Sequence, residues 1–396
     1  MSDESCSWWD PFGPAFLADP YPVYHRLRAQ GPVLWHDRMQ SWIVTGHELC
    51  DGILSDWKAF ASDFRRVGDD EPPPSISVQT LDPPEQRPVH QLLAQAVRAQ
   101  DTARLTATAR MAAEKRLKTL AAEGGDFITD LALPVSVDAA LRLLGAPQDD
   151  RQRLDELSSA VVASMNAGLR PDTAQAGHLA RQELSAAIAR WTRDSPAEGV
   201  MAFVAAHRDD SIPASVMDNS LRVLLLAGIN SAQRMLGLAL LTLLRDDAAR
   251  NYLTAMRETV QPDTAMTAMA HELVRFDNPF QAQSRKCTRQ VELAGRRLSR
   301  GATVVLMLGA ANRDPERFTE PDQFMPRRHP NPHLGFGRGV HACLGAPIAM
   351  RLLRGLLEAM IACGDRVALA KTPTFDQNPT LRGLVNLPIC QGRLPR

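Results

Sequence analysis

Helical patterns of apolar and polar residues dominate the chain from about residue 84 to residue 270. Apolar side chains recur there at the spacing that places them on one face of a helix. The pattern predicts helices over Gln86–Val97, Thr102–Glu123, Asp149–Asn166, Asp172–Trp191, Pro196–Arg208, Ala214–Arg245 and Thr264–Phe276.

Shorter elements flank this helical region on both sides. Asp19–Gln30 is predicted to be a short helix, and the Trp, Val and Ile residues of Pro32–Thr45 favour two strands joined by a turn. Residues 62–80 contain consecutive prolines and are predicted to form a loop. Strand patterns return over Val291–Leu308, and a last helix is predicted over Leu344–Ala362 after a turn-rich stretch.

These elements predict a mainly α-helical protein with small β-sheets, of the α+β class, with the sheets near the ends of the chain. No linker separates two cores, so residues 1–396 are predicted to form a single domain. The first residues, about 1–15, are expected to be flexible.

The composition narrows the classes of function. The 396 residues include 45 basic and 45 acidic side chains, so the formal net charge is zero, which argues against binding to nucleic acid or to an anionic membrane. The N-terminus lacks the basic and apolar regions of a signal peptide. The most apolar stretch, Leu221–Leu244, contains Arg222, Asn230 and Arg234, and is predicted to be a buried helix of a soluble protein. Six scattered cysteines fit a reducing, cytoplasmic location.

Residues 336–345, with the sequence FGRGVHACLG, carry the clearest candidate chemistry and lie directly before an apolar helical run. Gly337 and Gly339 permit a tight loop. Cys343 then lies at the N-terminus of the next helix, where free N–H groups favour a thiolate. A thiolate in such a loop is either a nucleophile, for which His341 could act as the base, or a metal ligand.

In these residues the sequence resembles the cytochrome P-450 family of haem-thiolate monooxygenases, since every fixed position of the signature Phe-Gly-x-Gly-x-His-x-Cys-x-Gly is filled. The resemblance implies the cytochrome P450 fold, a single domain shaped like a triangular prism, and a bound haem b. It implies that Cys343 is the axial ligand of the iron, that Phe336 packs near the sulfur and that His341 hydrogen-bonds a haem propionate. The other expected haem contacts of this loop are Gly337, Arg338, Leu344 and Gly345.

A second match concerns three charged residues that would support the loop. Glu272 and Arg275 share one face of a predicted helix, although such a pair is more often a solvated surface pair. The family closes this pair with an arginine in the turn-rich region before the cysteine loop, and Arg328 takes that position. The resemblance therefore implies that Glu272, Arg275 and Arg328 form a structural triad.

Three further residues are expected near the haem propionates. Residues 81–90 resemble the family's propionate-binding helix, but Gln86 and His90 stand where the family usually has His and Arg. Gln86 carries no charge, and His90 is a cation only when protonated. A surface position is the alternative for His90. Arg285 matches the third propionate contact.

The predicted helix Ala214–Arg245 matches the family's oxygen-activating helix. Ala227 and Gly228 are small, which would let the helix pass close to the haem and leave a groove for dioxygen. Ser231 keeps a hydroxyl at the family's threonine position, whereas Asn230 replaces the usual acid. Because Asn230 has no proton to relay, we expect water, another side chain or a polar group of the substrate to complete proton delivery; the alternative is that Asn230 has no role.

The resemblance predicts a monooxygenase that inserts one oxygen atom of O2 into an organic substrate in secondary metabolism, for example in antibiotic biosynthesis. Electrons would come from NAD(P)H through a ferredoxin or flavodoxin reductase system, since the chain has no dinucleotide-binding fingerprint. Arg338, Arg351 and Arg354 could form the docking face for such an acidic partner. The protein is expected to act as a monomer, without nucleic acid or membrane.

Alternatives to this function remain open at this point. The absence of an acid at Asn230 motivates a haem-thiolate peroxygenase or other haem chemistry without monooxygenation. A non-catalytic haem-binding protein would also retain Cys343. A thiol hydrolase without haem would use Cys343 as a free nucleophile.

The sequence gives less information about the substrate than about the fold, the cofactor or the class of reaction. By resemblance, candidate pocket residues lie in loop 62–80, in residues 157–188 and at Leu225, Ala227, Phe280 and Val385. Aromatic residues make up only 5% of the chain, so a mainly aliphatic wall is expected. Arg65 and Arg66 could contact an anionic substrate or a carrier protein that presents it, and a solvated surface pair is the alternative.

Overall fold

Helices account for most of the computed structural model, which describes residues 5–148, 151–166, 168–194, 197–256 and 262–392. The α-helices are α1 (Pro14–Ala18), α2 (Tyr21–Gln30), α3 (His47–Ser55), α4 (Gln86–Arg98), α5 (Thr102–Glu123), α6 (Leu133–Leu144), α7 (Arg151–Ala163), α8 (Ala174–Arg193), α9 (Gly199–His207), α10 (Ala214–Leu226), α11 (Ala232–Arg245), α12 (Asp247–Ala255), α13 (Pro262–Phe276), α14 (Leu308–Ala311) and α15 (Ala346–Cys363). The predicted mainly helical class is confirmed.

The strands are short and come from both ends of the chain. They are β1 (Val33–His36), β2 (Ser41–Val44), β3 (Phe60–Ala61), β4 (Gly125–Asp126), β5 (Gln283–Cys287), β6 (Val291–Leu293), β7 (Arg296–Leu298), β8 (Thr303–Leu306), β9 (Val367–Leu369), β10 (Thr374–Phe375), β11 (Leu384–Asn386) and β12 (Pro388–Gln391). One sheet has the order β1-β2-β8-β5-β3, with only β2 and β8 parallel in it. A second sheet places β12 between β4 and β9.

Buried apolar side chains of the described residues form separate clusters. The largest lies between the helices from α4 to α13 and α15, and consists mainly of Leu, Ala, Val and Met. A second cluster packs α3 against the sheet that contains β2 and β8. A third joins the N-terminal residues to α2 and to that sheet. Burial of this apolar surface is the main force that holds these elements together.

The segment 5–15 is packed, where the sequence predicted a flexible start. Cys6 and Trp9 are buried, and the Cys6 N–H donates to the carbonyl of Trp35 at 2.9 Å. The ring of Trp9 meets that of Phe16 edge to face, with centroids 5.0 Å apart. The large apolar area of these rings offsets the entropy lost when the segment is ordered.

Several helices differ from the sequence prediction. Helices α6 and α12 were not expected. Pro134 lies in the first turn of α6, where its missing N–H is not needed. The predicted starts at Asp149 and Pro196 lie outside the described residues. Helix α15 begins at Ala346, two residues later than predicted.

The stretch Ala214–Arg245 was predicted as one helix, but a π-helical segment, Ala227–Ser231, separates α10 from α11. By length and composition, this stretch is long and apolar enough to cross a membrane, yet 67% of its most apolar window is buried inside the protein. It therefore packs as a core helix, as its internal Arg and Asn residues indicate. Single π-turns of this kind are frequent at functional sites.

Candidate functional site

The loop 336–345 closes on itself at the cysteine. The N–H of Cys343 donates to the carbonyl oxygen of Phe336 at 2.9 Å. Gly337 and Gly339 have φ angles of 67° and 66°, which lie in the left-handed region that favours glycine. The glycines of the motif therefore permit the backbone course that brings Cys343 back beside Phe336.

The Cys343 side chain is accessible rather than packed in the core. Burial raises the pKa of the Cys343 thiol, and the N–H groups of Gly345 and Ala346 partly offset this rise. These donors lie at the N-terminus of α15, where backbone N–H groups lack helical partners. A thiol with a raised pKa is a poor free nucleophile. A metal ion, however, deprotonates the thiol that coordinates it.

His341 is held by a carboxylate rather than by the cysteine. Its Nε2 lies 2.9 Å from Oδ1 of the buried Asp82, which also accepts from Nη1 of Arg66 at 2.8 Å and from the N–H of Asp63 at 3.2 Å. Burial alone would raise the pKa of Asp82, but the hydrogen bonds from His341 and Arg66 outweigh it and hold that pKa below its usual value. No hydrogen bond joins His341 to Cys343 in the part of the chain that the structure describes. The pair required by a thiol hydrolase is therefore not formed.

Gln86 forms a hydrogen bond with the backbone of the cysteine loop. Its Nε2 donates to the carbonyl oxygen of Val340 at 2.7 Å. Gln86 was expected to donate to a haem propionate, but in the structure it donates to the backbone of the loop. His90, one helical turn further along α4, is half-buried and makes no hydrogen bond to another described side chain. Burial, with a contribution from His341, lowers the pKa of His90. At neutral pH its ring is therefore uncharged and can donate one hydrogen bond.

Arg285 on β5 is a buried cation with no ion-pair partner among the residues that the structure describes. Its side chain is 6% exposed, and its Nη1 donates to the carbonyl of Ser284 at 2.8 Å. No carboxylate of the described residues forms an ion pair with it. Burial lowers the pKa of Arg285 to about 10. Because a buried charge without a counter-ion costs several kcal/mol, this position is suited to an anionic group such as a propionate.

The helix that contains the π-helical segment presents an accessible stripe in the middle of a largely buried stretch. Val223, Ala227 and Ser231 are at least partly accessible, and their spacing of four residues places them on one face. This face is therefore not fully covered by the neighbouring elements. Leu225, expected in the pocket wall, is fully buried and packs in the core instead. Val385, also expected there, is 55% exposed.

Gly228 allows this helix to pack closely on α6. A β-carbon at residue 228 would lie 3.0 Å from the β-carbon of Ala140, tighter than an ordinary contact. The small residue was expected to bring the helix close to the haem. The close approach that the structure shows is to α6.

Asn230 is fully engaged in hydrogen bonds. Its Nδ2 donates to Oγ of Ser158 on α7 at 2.6 Å and to the carbonyl of Leu226 at 3.1 Å, and its Oδ1 accepts from Nη1 of Arg234 at 3.4 Å. Arg234 in turn forms an ion pair with Asp376. By contrast, the hydroxyl of Ser231 makes no hydrogen bond to another described residue. Of these two residues, Ser231 is the one whose polar side-chain group is free of hydrogen bonds to the described residues.

The structure brings the three triad residues together below the cysteine loop. Nε and Nη2 of Arg275 donate to the two carboxylate oxygens of Glu272 at 2.7 and 2.8 Å, and Nε of Arg328 lies 3.1 Å from the same carboxylate. The N–H of Met325 and Nδ2 of Asn331 also donate to Glu272, at 2.9 and 3.1 Å. Both members of the pair Glu272–Arg275 are completely buried. The network fastens α13 to the segment that leads into the loop.

The other expected loop residues have different surroundings. Arg338 lies at the surface and pairs with Asp51, with 3.0 Å between Nε and Oδ1. The ring of Phe336 packs against His333, with centroids 5.8 Å apart. Leu344 is partly buried, and a β-carbon at Gly345 would lie 3.8 Å from Sγ of Cys343.

Sequence reasoning missed the partners of these residues. Asp82, Ser158 and Asp376 lie far along the chain from His341, Asn230 and Arg234, and no motif connects them. Only the contact between Asn230 and Arg234 could have been expected from the sequence. The two residues are four apart, and residues four apart on a helix share one face.

The accessible Cys343 side chain, the buried Arg285 without an ion pair among the described residues, and the accessible stripe of the central helix together fit a haem held by a thiolate. A family model described as Cytochrome P450 matches residues 256–362. Nocardicin C N-oxygenase of Nocardia uniformis subsp. tsuyamanensis is 31% identical over 96% of this chain and 97% of its own length. Cytochrome p450 CYP199A2 of Rhodopseudomonas palustris is also 31% identical, over 96% and 93% respectively. The chain belongs to the cytochrome P450 family and is an oxygenase.

Solved structures agree with this assignment. The ligand-free crystal structure of CYP164A2 from Mycobacterium smegmatis is 28% identical, with a TM-score of 0.83 over 96% of this chain and 98% of that one. PksS from Bacillus subtilis 168, at 24% identity, shares the fold with a TM-score of 0.84 over 97% and 100%. The expected cytochrome P450 fold is therefore confirmed.

Proposed function

We propose that the thiolate of Cys343 would hold a haem b, and that the bound haem would supply the chemistry for inserting one oxygen atom of O2 into an organic substrate. The observation that carries this proposal is the accessible Cys343 side chain, on a loop whose backbone course Gly337 and Gly339 permit. When bound, a thiolate-ligated haem supplies the activation of dioxygen.

The surrounding residues would position the cofactor. Arg285 is the cation available for one propionate, and the neutral ring of His90 can donate a hydrogen bond to the other. His341, through Asp82, fixes the loop that carries the sulfur. Gln86 does the same by its hydrogen bond to the loop backbone.

Ser231 is our candidate for proton transfer into the cavity. Its hydroxyl lies on the accessible stripe and has no hydrogen-bond partner among the described residues, so it can hydrogen-bond a water molecule or a substrate group. Asn230 would position this segment through Ser158 and Arg234 rather than carry a proton. Ala227, on the same accessible stripe, leaves space beside that hydroxyl.

Electrons from NAD(P)H would arrive through a ferredoxin or flavodoxin system, and the substrate would belong to secondary metabolism. Relatives such as Erythromycin C-12 hydroxylase of Saccharopolyspora erythraea, at 29% identity, support this setting. The expected docking face is less basic than the sequence suggested, because Arg338 pairs with Asp51 and Arg354 pairs with Glu358 and Asp263. Arg351 is exposed and keeps its charge available.

The decisive test is the spectrum of the reduced carbon monoxide complex. The purified protein should show the red-shifted Soret band of a thiolate-ligated haem, and Cys343→Ala should lose it. Cys390→Ala is the matched control and should keep the band. A protein that binds no haem, or a Cys343→Ala variant with an unchanged spectrum, would overturn the proposal.

A peroxygenase is the second candidate, and the engaged amide of Asn230 is the observation that favours it. Such an enzyme receives both oxygen and protons from hydrogen peroxide. Turnover with peroxide alone, at a rate equal to that with NAD(P)H, ferredoxin and its reductase, would support this candidate. Turnover that requires the reductase system would support the monooxygenase.

A further inference from the structure

An arginine connects the strand pair β10–β11, near the C-terminus, to the π-helical segment of the central helix. The side chain of Arg234 on α11 is 9% exposed, and its Nη2 donates to Oδ2 of Asp376, which directly follows β10, at 2.5 Å. Nη1 of the same guanidinium lies 3.4 Å from both the carbonyl oxygen and Oδ1 of Asn230. One guanidinium therefore contacts a carboxylate of the strand pair and both oxygen atoms of Asn230.

The backbone of the strand pair leaves room for Arg234. The N–H of Asp376 donates to the carbonyl of Gly383 at 3.0 Å, so these two residues face each other across the pair. A β-carbon at residue 383 would lie 2.4 Å from Cγ of Arg234 and 2.8 Å from its Cδ and Nε. Because Cγ belongs to the stem of the side chain, Arg234 would have to move if residue 383 carried a β-carbon. The absence of a side chain at Gly383 therefore allows Arg234 to reach Asp376.

A second connection runs from the same part of the chain to α7. Nδ2 of Asn378 donates to the carbonyl of Val162 at 3.2 Å, and Oδ1 of Asn378 accepts from Nδ2 of Asn166 at 2.9 Å. Asn230 also contacts α7, through its hydrogen bond to Ser158. The residues after β10, helix α7 and the π-helical segment are thus each joined to the other two. Asn230 is the residue of the π-helical segment at which both connections end.

The negative charge of Asp376 keeps the guanidinium in this place. In the described part of the chain Arg234 forms no other ion pair, and the acceptors that Asn230 offers it are uncharged. The Nε of Arg234 is buried and has no hydrogen-bond partner there. A buried cation that loses its counter-ion is strongly disfavoured. Removal of the carboxylate should therefore draw the guanidinium away from Asn230.

We propose that Asp376 is a positioning residue for Ser231. Through Arg234 it holds Asn230, and thereby the π-helical segment Ala227–Ser231 that carries the serine hydroxyl. This inference rests on the proposed function, in which that hydroxyl serves proton transfer. It gives a carboxylate from the C-terminal part of the chain a task in the reaction, which Asp376 performs through Arg234 and not by contact with the reacting atoms.

Hydrogen exchange of the haem-containing protein, followed by mass spectrometry, tests whether the segment is held. In Asp376→Asn the backbone amides of residues 227–232 should exchange about ten-fold faster, because opening of the segment no longer breaks a charged hydrogen bond. Gly383→Ala should have the same effect without a change of charge, since it displaces Arg234.

Two matched controls accompany these variants. Asp172→Asn breaks an exposed ion pair with Arg170, and Gly168→Ala places a β-carbon in open space. Both should leave the exchange of residues 227–232 unchanged. Unchanged exchange in Asp376→Asn, or exchange that is faster by the same factor in every helix, would overturn the proposal.

A spectroscopic measurement separates positioning from stability. The C–O stretching band of the reduced carbon monoxide complex responds to the electric field of polar groups beside the ligand. Asp376→Asn and Gly383→Ala should each broaden this band, because the Ser231 hydroxyl then adopts several positions. In a Ser231→Ala background, Asp376→Asn should leave the band unchanged. A band that is unaltered by Asp376→Asn, or altered equally with and without the Ser231 hydroxyl, would show that Asp376 does not position Ser231.

The outcome is distinguishable from the test of the proposed function. A protein with the thiolate carbon monoxide spectrum, but with no effect of Asp376→Asn on residues 227–232, refutes only the positioning role. Absence of that spectrum in the wild-type protein refutes the haem site itself.

Discussion

Gly339 lies directly against the backbone of Leu54: a β-carbon at residue 339 would stand 2.7 Å from the Leu54 carbonyl oxygen. Leu54 belongs to α3, so the cysteine loop is seated on this helix. A backbone oxygen cannot rotate aside as the end of a side chain can. The position of the loop, and hence of Cys343, therefore depends on the absence of a side chain at residue 339.

Gly339→Ala should accordingly reduce the fraction of protein with a thiolate-ligated haem more than Gly337→Ala does. Both glycines have positive φ, so either substitution incurs backbone strain of about 1–2 kcal/mol. Only Gly339→Ala adds a collision, because the nearest atom to a β-carbon at residue 337 is 3.6 Å away. The carbon monoxide spectrum and the unfolding free energy measure the effect. Equal losses in the two variants would show that strain alone matters.

The buried carboxylate of Glu272 should be essential for stability. Glu272→Gln leaves Arg275 and Arg328 buried without a counter-charge, and breaking such a pair costs about 3–5 kcal/mol. Denaturant unfolding of the haem-containing protein measures this loss. Glu358→Gln, which breaks a partly exposed pair with Arg354, is the control and should cost about 1 kcal/mol or less. Comparable costs in the two variants would contradict a structural role for the triad.

Residues linked by local spacing were predictable from the sequence. Glu272 and Arg275 are three residues apart on one helix, and the glycines near Cys343 lie in the same loop as the cysteine. Because these contacts are local, the sequence motif also defines their geometry. The predicted helix Thr102–Glu123 has the bounds observed for α5, because its ends carry an N-cap Asp101 and a terminal glycine pair.

Contacts between distant segments were not predictable. Asp82 and His341 are 259 residues apart, and nothing in either segment indicates that they meet. The chain also could not show that Asn230 faces Ser158, because helical periodicity gives relative faces but not what covers them.

His333 should make the stability of the protein depend on pH. Burial, and after it the charges of His271 and Arg338, lower the pKa of His333 to about 3. Its ordinary value is near 6.5, so between these values the unfolded chain binds one more proton than the folded protein. The unfolding free energy should therefore fall as the pH falls from 6 to 4, with this residue contributing about 1.4 kcal/mol per pH unit.

His333→Gln should remove this contribution. The slope of the unfolding free energy against pH should then decrease by the amount that corresponds to one bound proton. Urea unfolding at pH 6, 5 and 4 gives the two slopes. His207→Gln, at the exposed end of α9, serves as the control and should keep the slope of the parent protein. A slope that is the same in His333→Gln and in the parent would show that His333 does not cause the pH dependence.

The last prediction concerns Asn230, the amide that stands where the family usually has an acid. In Asn230→Asp the new carboxylate can accept from Oγ–H of Ser158 and from Arg234, but it no longer donates to Leu226. Arg234 then has two carboxylate partners, so its pairing with Asp376 should weaken. The added carboxylate also provides a group that can exchange protons close to Ser231. We expect a larger share of the electrons consumed to be used for product formation, and a smaller solvent isotope effect on turnover. Asp376→Asn frees Arg234 without adding an acid, and should lower that share instead. If Asn230→Asp changes neither the coupling nor the isotope effect, residue 230 takes no part in proton delivery.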